Sequence, residues 1–171
     1  MNFIPKEINN CFEKYFNEKD TEIFCQIANQ SDLKPHIRTM RLYAMTETGC
    51  LEFLSRTDTQ KWVDWEKQPY AAVCFLNLNF GQVLAEGAVL LKTSITHPDD
   101  IKKYWDSLPK NIRMIYTNKD EKEPPSCFGI VNIFPDFWEI LELFDEYIES
   151  SRIIYRLVNG YWRKEKIKIT S

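Results

Sequence analysis

Glycine is scarce in this chain, with 5 in 171 residues, and histidine is scarcer still, with 2. So few glycines argue against a nucleotide fold built on glycine-rich loops, in which bare backbone must approach phosphates. His36 and His97 have no near-sequence ligand partner, so no metal site is expected. Positive charge is not in excess either: 22 Lys and Arg stand against 25 Asp and Glu, for a net charge of −3. That balance disfavours a general nucleic-acid or anionic-membrane binder, which needs a basic face. The cysteines, at 11, 25, 50, 74 and 127, are odd in number and never spaced as C-x-x-C. They read as reduced, small core residues rather than a disulfide or zinc framework. No window approaches ~20 consecutive apolar residues, and the opening MNFIPKEINN carries no apolar leader core. A soluble, cytoplasmic protein is expected.

Rings are what the chain has in quantity. Hydrophobic residues make up 44% and aromatics 14%, including 5 Trp and 11 Phe, enough for one aromatic-rich core. Without repeats or low-complexity linkers, residues 1–171 read as a single domain.

The periodicities alternate between helix and strand. Residues 5–17 set Ile8, Cys11, Phe12, Tyr15 and Phe16 on one helical face. Residues 22–29 predict a strand, and QSDLKP the turn after it. Residues 36–45 form one long alternating segment, with Ile37, Thr39, Arg41, Tyr43 and Met45 on one face and Arg38, Met40, Leu42 and Ala44 on the other. After a turn at 46–49, residues 50–55 return as a strand. Residues 59–68 predict a helix, and the apolar run 70–78 a strand covered on both faces. Residues 81–93 predict a second long strand with a bulge or bend at Gly87. A helix over 96–109 starts from Thr96 as N-cap with Pro98 in its first turn. Residues 112–125 fade into a charged loop. Residues 126–134 predict a strand, and 135–144 suit either a helix or a strand. Asn159-Gly160, between alternating runs, marks a hairpin with a type I′ turn. At least six strands, three of them long, with two or three short helices describe a curled antiparallel barrel.

The stretch FLSRTDTQKW (53–62) carries two readings. In one, Thr57 and Gln60 form a capping box, with Asp58 as an alternative N-cap, and nothing more. In the other, the hydroxyls of Ser55 and Thr57, the charge of Lys61 and the free N–H groups of a helix start hold an anion such as phosphate. Arg38 and Arg41 read as strand-face charges facing Glu52 across the hairpin. Gln82 reads as an amide at a strand start, and Arg152 as a strand-end cation. Glu86, Glu139 and Glu142 read as strand-face charges. Neither histidine joins a Ser-His-Asp or Cys-His arrangement.

In order and spacing these segments resemble a known family. PHIRTMRLY is followed by LEFLS and a polar loop ending in lysine, then AAVCFLN, GQVLAEG, P-x-x-W-E, SRIIY and a G-x-W hairpin. The chain over roughly 20–165 is similar to the pyridoxamine 5′-phosphate oxidase-like proteins. The resemblance implies a mainly β (α+β) fold: a six- to eight-stranded antiparallel split β-barrel with short flanking helices. The helix would occupy 5–17 and the barrel about 22–169, and 135–144 becomes a strand. It further implies FMN as cofactor and a homodimer with FMN at the subunit interface.

Carried over residue by residue, the cofactor-binding positions fall on Arg38, Thr39, Met40, Arg41, Leu42 and Tyr43, then on Leu54, Ser55, Gln60 and Lys61, and finally on Gln82 and Arg152. Arg38, Ser55 and Lys61 would hold the phosphate and Gln82 the ring, while Arg152 closes the site from the other subunit. Several positions depart from the family. Tyr43 stands where a basic residue is common, Gln60 where an arginine is, and Leu141 where a tryptophan packs near the flavin. The Arg-x-His motif of the oxidases has no counterpart. Of their other substrate-phosphate groups only Tyr104 has a match, with Leu108 and Ile112 in place of arginine and serine. The resemblance therefore implies an FMN-dependent oxidoreductase acting on a small molecule, with pyridoxamine phosphate disfavoured as substrate. A non-catalytic cofactor-binding protein of the same fold is the alternative, and no catalytic residue is assigned.

Overall fold

The computed structural model describes residues 3–16, 22–117, 122–143 and 151–168. A helix, α1 (Lys6–Cys11), passes into a π-helical turn at Phe12–Phe16. β1 (Phe24–Ser31) and β2 (Lys34–Arg41) form a hairpin whose two turn residues, Asp32 and Leu33, have φ of 50° and 63°. β3 (Ala44–Met45) and β4 (Leu51–Arg56) precede α2 (Gln60–Lys67), and β5 (Tyr70–Asn77) and β6 (Gly81–Lys92) follow it. α3 (Pro98–Ser107) and α4 (Lys110–Thr117) lead to β7 (Phe128–Glu142), β8 (Ser151–Val158) and β9 (Tyr161–Lys168). The hairpin at Asn159-Gly160 forms as expected, with φ of 52° and 80°. There are nine strands among the described residues, because the 36–45 segment is divided into β2 and the two-residue β3.

All pairings are antiparallel, in the order β2-β1-β5-β6-β7-β4-β3, with β8 on β7 and β9 on β8. β7 is the spine of the barrel. Residues 128–133 pair with β4, and residues 137–142 pair with β8. The changeover falls at Pro135, which has no N–H to donate and is tolerated only where a ladder breaks. Opposite lies Gly87, where the β6–β7 register shifts as expected. A Cβ built on Gly87 would lie 2.1 Å from the Phe134 carbonyl oxygen, so only glycine admits this approach.

Four sequence expectations are corrected. The 36–45 segment is not one strand: Leu42 donates its N–H to Ile23, whereas Tyr43 donates to Glu52. The chain thus changes partners at that dipeptide, and β2 and β4 part there, leaving the ring open. Residues 70–78 are covered on one face only, with Ala71, Val73 and Phe75 buried and Tyr70 and Leu76 exposed. Residues 110–117 form α4 rather than loop, because Ile112, Ile115 and Tyr116 give this segment an apolar face. The cap of α3 is His97, not Thr96; the Thr96 hydroxyl accepts from the Thr93 N–H instead.

The core has two parts. Inside the barrel, Phe12 and Phe16 from the π-helical turn plug one end against Phe75 and Trp138, with ring centroids 4.8–6.1 Å apart. The plug is tied to the last hairpin: Trp162 donates its indole N–H to the Phe3 carbonyl, and Lys164 pairs with Glu7 at 2.6 Å. Outside the barrel, Ile101, Trp105 and Leu108 pack onto Phe128 and Ile130, holding α3 and α4 over β4 and β7. All five cysteines are free.

Candidate functional site

The parting of β2 and β4 leaves a cavity of about 490 Å³. Its barrel side is lined by Thr39, Met40, Arg41, Tyr43, Leu54 and Lys61, and its helical side by Leu108, Pro109, Ile112, Ile115 and Tyr116. Six of the expected cofactor positions therefore meet at one opening. The volume suits a small organic cofactor.

Alternation along β2 decides which arginine points where. Arg38, Met40 and Leu42 turn toward the interior, while Thr39 and Arg41 face out. The pairing of Arg38 and Arg41 with Glu52 does not form. Arg41 pairs with Glu22 at 2.5 Å, and Glu52 accepts from Asn132. Arg38 donates through Nη2 to the Asn29 side-chain oxygen and lies over the Trp65 ring, 5.6 Å from its centroid. Its other terminal nitrogen, Nη1, is buried without a partner. Burial holds the Arg38 guanidinium below its ordinary value, opposed by Asp64. Burial, and then the charge of Arg38, also lower the Lys61 ammonium. Among the described residues no carboxylate forms a salt bridge with either cation.

The start of α2 lies beside this pair. The capping box is not formed: Thr57 donates its hydroxyl to the Ser126 carbonyl, and Asp58 is held by Arg56 at 2.6 Å. Thr59 is the N-cap, and its hydroxyl donates back to the Arg56 carbonyl, so no side chain caps α2. The first N–H groups of the helix are thus left without a capping side chain, which is the condition for anion binding. Ser55 is buried, and its hydroxyl donates to the Arg56 carbonyl.

Gln60 serves another residue. Its amide donates at 2.8 Å to Asp64, a fully buried carboxylate that also meets His36 Nδ1 at 3.2 Å. Burial alone would raise Asp64, but the hydrogen bonds with Gln60 and His36, with the polar side chains of Ser31 and Asn29 close by, outweigh it and bring the carboxyl down to about 2. A carboxyl depressed on folding adds stability above its unfolded value, and that stability is lost as pH falls toward the folded value. Asp64→Asn should therefore be less stable at pH 7, and should lose less stability than the wild type between pH 3.8 and about 2. Urea midpoints across that range check this, and parallel acid limbs would refute it. Sequence reasoning passed over Asp64 and Asn29. The available signal was an acid at 64 among the tryptophans at 62 and 65 of an amphipathic helix.

Arg38, Leu42, Ser55, Gln60, Gln82 and Arg152 do not line the cavity. In register, Gln82 faces Leu141 and Leu141 faces Arg152, so the three form one row across β6, β7 and β8. Arg152 lies 3.5 Å from the largely buried Glu139. Leu76, opposite Gln82, continues the row and is 60% exposed; Phe24, opposite Arg41 on β1, is 56% exposed. The described residues hold no cluster of three or more metal-ligating side chains, and none of their helices is long and apolar enough to cross a membrane.

No family model matches the sequence, and neither does any curated protein. Solved structures do match. A pyridoxamine 5′-phosphate oxidase-related, FMN-binding protein from Nostoc punctiforme is 22% identical with a TM-score of 0.79, over 94% of each chain. PhzG from Burkholderia lata, solved with tetrahydrophenazine-1-carboxylic acid, is 10% identical with a TM-score of 0.75, over 96% of this chain and 90% of that one. An F420 reductase is 17% identical with a TM-score of 0.51, over 79% of this chain and 95% of that one. In fold, this chain is a split β-barrel of the pyridoxamine 5′-phosphate oxidase-like kind.

Proposed function

We propose that this chain is an FMN-binding flavoprotein that works as a homodimer and carries out a redox step on a small molecule. The observation that carries the reading is the pair Arg38 and Lys61, two part-buried cations that form no salt bridge among the described residues, beside an uncapped helix start. A phosphate supplies the missing negative charge and accepts the orphaned Arg38 Nη1–H. FMN, when bound, supplies hydride chemistry at its ring, so the protein need only bind, orient and exclude water. Arg38, Lys61 and the first N–H groups of α2 hold the phosphate. Met40, Tyr43 and Leu54 cover the cavity floor and keep water out. Ser55, already bonded to the backbone, shapes the phosphate end from behind.

What supports the dimer is the row Leu76, Gln82, Leu141 and Arg152 on the face that exposes Phe24 and Leu76. A second copy packed on that face covers the exposed apolar side chains and brings its own Gln82 and Arg152 to the cavity. Residues 1–171 act as one domain, in the cytoplasm.

Purified protein should be yellow, or become so on adding FMN, and should elute at twice the mass of one chain. A colourless protein that takes up no FMN overturns the reading. A second reading, a holder of FMN or a related flat cofactor without turnover, is favoured by Gln60, which is committed to Asp64 where a third cation would strengthen phosphate binding. Reduction of the bound flavin by NADH or NADPH would reject it.

A further inference from the structure

The helical side of the cavity differs in character from the phosphate end. Among the described residues, Leu108, Pro109, Ile112, Ile115 and Tyr116 line it without a side-chain charge. Leu108 is buried, and Tyr116 packs edge-on against Phe128 with centroids 4.9 Å apart, so this wall is fixed to the outer core rather than loosely exposed. Ile115 is 63% exposed, so it presents apolar surface to the cavity. At the mouth, Tyr43 meets Ser107 at 3.2 Å through their hydroxyls and leans on Tyr104 with ring centroids 5.4 Å apart. These contacts tie the barrel to the wall and occupy the hydroxyls.

The cations lining the cavity have other commitments. Arg41 is paired with Glu22, Lys61 stands beside Arg38 at the phosphate end, and the Arg152 that a second copy would bring carries Glu139 3.5 Å away. Arg56, near the wall, is held by Asp58 and by the Tyr116 carbonyl. A second phosphate, carried by a substrate, would sit against apolar side chains and lose its hydration without a paired cation, which disfavours its binding.

We propose that the substrate of this site is an uncharged, apolar-bodied molecule without a phosphate, seated against the Leu108–Tyr116 wall. This rests on the flavin reading, because it takes the cationic end to be filled by the cofactor. Such a ligand gains from burial along Ile112, Ile115 and Tyr116 and has no charge to desolvate. The wall therefore selects against phosphorylated compounds and leaves phosphate recognition to the cofactor alone.

Two probes test it on the FMN-loaded full chain: menadione, an uncharged quinone, and pyridoxal 5′-phosphate. Binding is read from perturbation of the flavin absorption band and from tryptophan fluorescence. Menadione should saturate the site, while pyridoxal 5′-phosphate at tenfold higher concentration should leave both signals unchanged. Ile112→Asp and, separately, the milder surface change Ile115→Asp should weaken menadione at least tenfold with FMN content unaltered. Tighter binding of pyridoxal 5′-phosphate than of menadione overturns the inference, as does failure of menadione to bind or unchanged menadione affinity in Ile115→Asp. If the wild type takes up no FMN, the flavin reading falls and this inference with it; if FMN binds and the probes behave otherwise, only the inference falls.

Discussion

The double variant Arg38→Ala, Lys61→Ala should emerge folded and colourless. Each side chain would give the phosphate a charge-assisted hydrogen bond, and bonds of that kind contribute about 1.5–3 kcal/mol each. Losing both should weaken FMN by at least ~100-fold, since each 1.4 kcal/mol is about a factor of ten. The fold should survive. Arg38 gives the barrel one hydrogen bond, to Asn29, and one contact with the Trp65 ring, and Lys61 forms no salt bridge among the described residues. Relief of the charge crowding between the two cations offsets part of what is lost. Equilibrium dialysis with FMN and far-UV circular dichroism check the two halves of the expectation. Lys102→Ala, which removes a surface cation paired with Asp106, is the control and should stay yellow. If the double variant binds FMN as tightly as the wild type, the phosphate does not sit at this end of α2.

Gly87→Val should be among the most damaging single substitutions in the barrel. Even a Cβ at this position lies 2.1 Å from the Phe134 oxygen and 2.6 Å from the Phe134 carbonyl carbon and the Pro135 Cα, all backbone atoms that no rotamer change can move. Accommodation requires β6 and β7 to separate at the point where β7 exchanges β4 for β8. Overpacking of a tight interior costs about 1–3 kcal/mol where side chains can yield. With only backbone to yield, about 3 kcal/mol or more is expected, a large share of the stability of a domain this size. The urea midpoint of the soluble fraction measures it. Gly87→Ala should follow in the same direction with a smaller loss. A valine variant as stable as the wild type would mean that the bulge can move along the strand.

What the sequence disclosed follows from how local each feature is. The Asn159-Gly160 hairpin was legible because two positive φ angles in succession need residues of that kind. Asp32-Leu33 adopts the same geometry without advertising it, so that turn was drawn too wide. The inward direction of Arg38 was written in the alternation of 36–45. The break at Leu42–Tyr43 was not, because the alternation runs straight through the corner while only the hydrogen-bond partners change. The capping box failed because the Thr57 hydroxyl goes to the Ser126 carbonyl and the Gln60 amide to Asp64, while Asp58, the alternative N-cap, has a stronger partner two residues back in Arg56. Gln60 and Asp64 are four apart on one helix, so their bond was within reach of the spacing, but the burial of Asp64 beside His36, which comes from β2, was not. The apolar wall of α3 and α4 was half visible: Leu108 and Ile112 were noted as departures, but the helix that carries Ile115 and Tyr116 was taken for loop.

The clasp between the two ends of the chain bears on synthesis. Phe3 and Glu7 lead into the aromatic plug, and their partners Trp162 and Lys164 lie on the last strand, 157–159 residues away. During translation the plug can rest in the barrel mouth, but it cannot be locked until β9 has left the ribosome. Contacts that distant in sequence form late, since the chain between them must be ordered first. The nascent barrel therefore waits with a row of rings, Phe12, Phe16, Phe75 and Trp138, held by packing alone. A chain stalled before Tyr161 should be a substrate for chaperones rather than a smaller version of the folded protein.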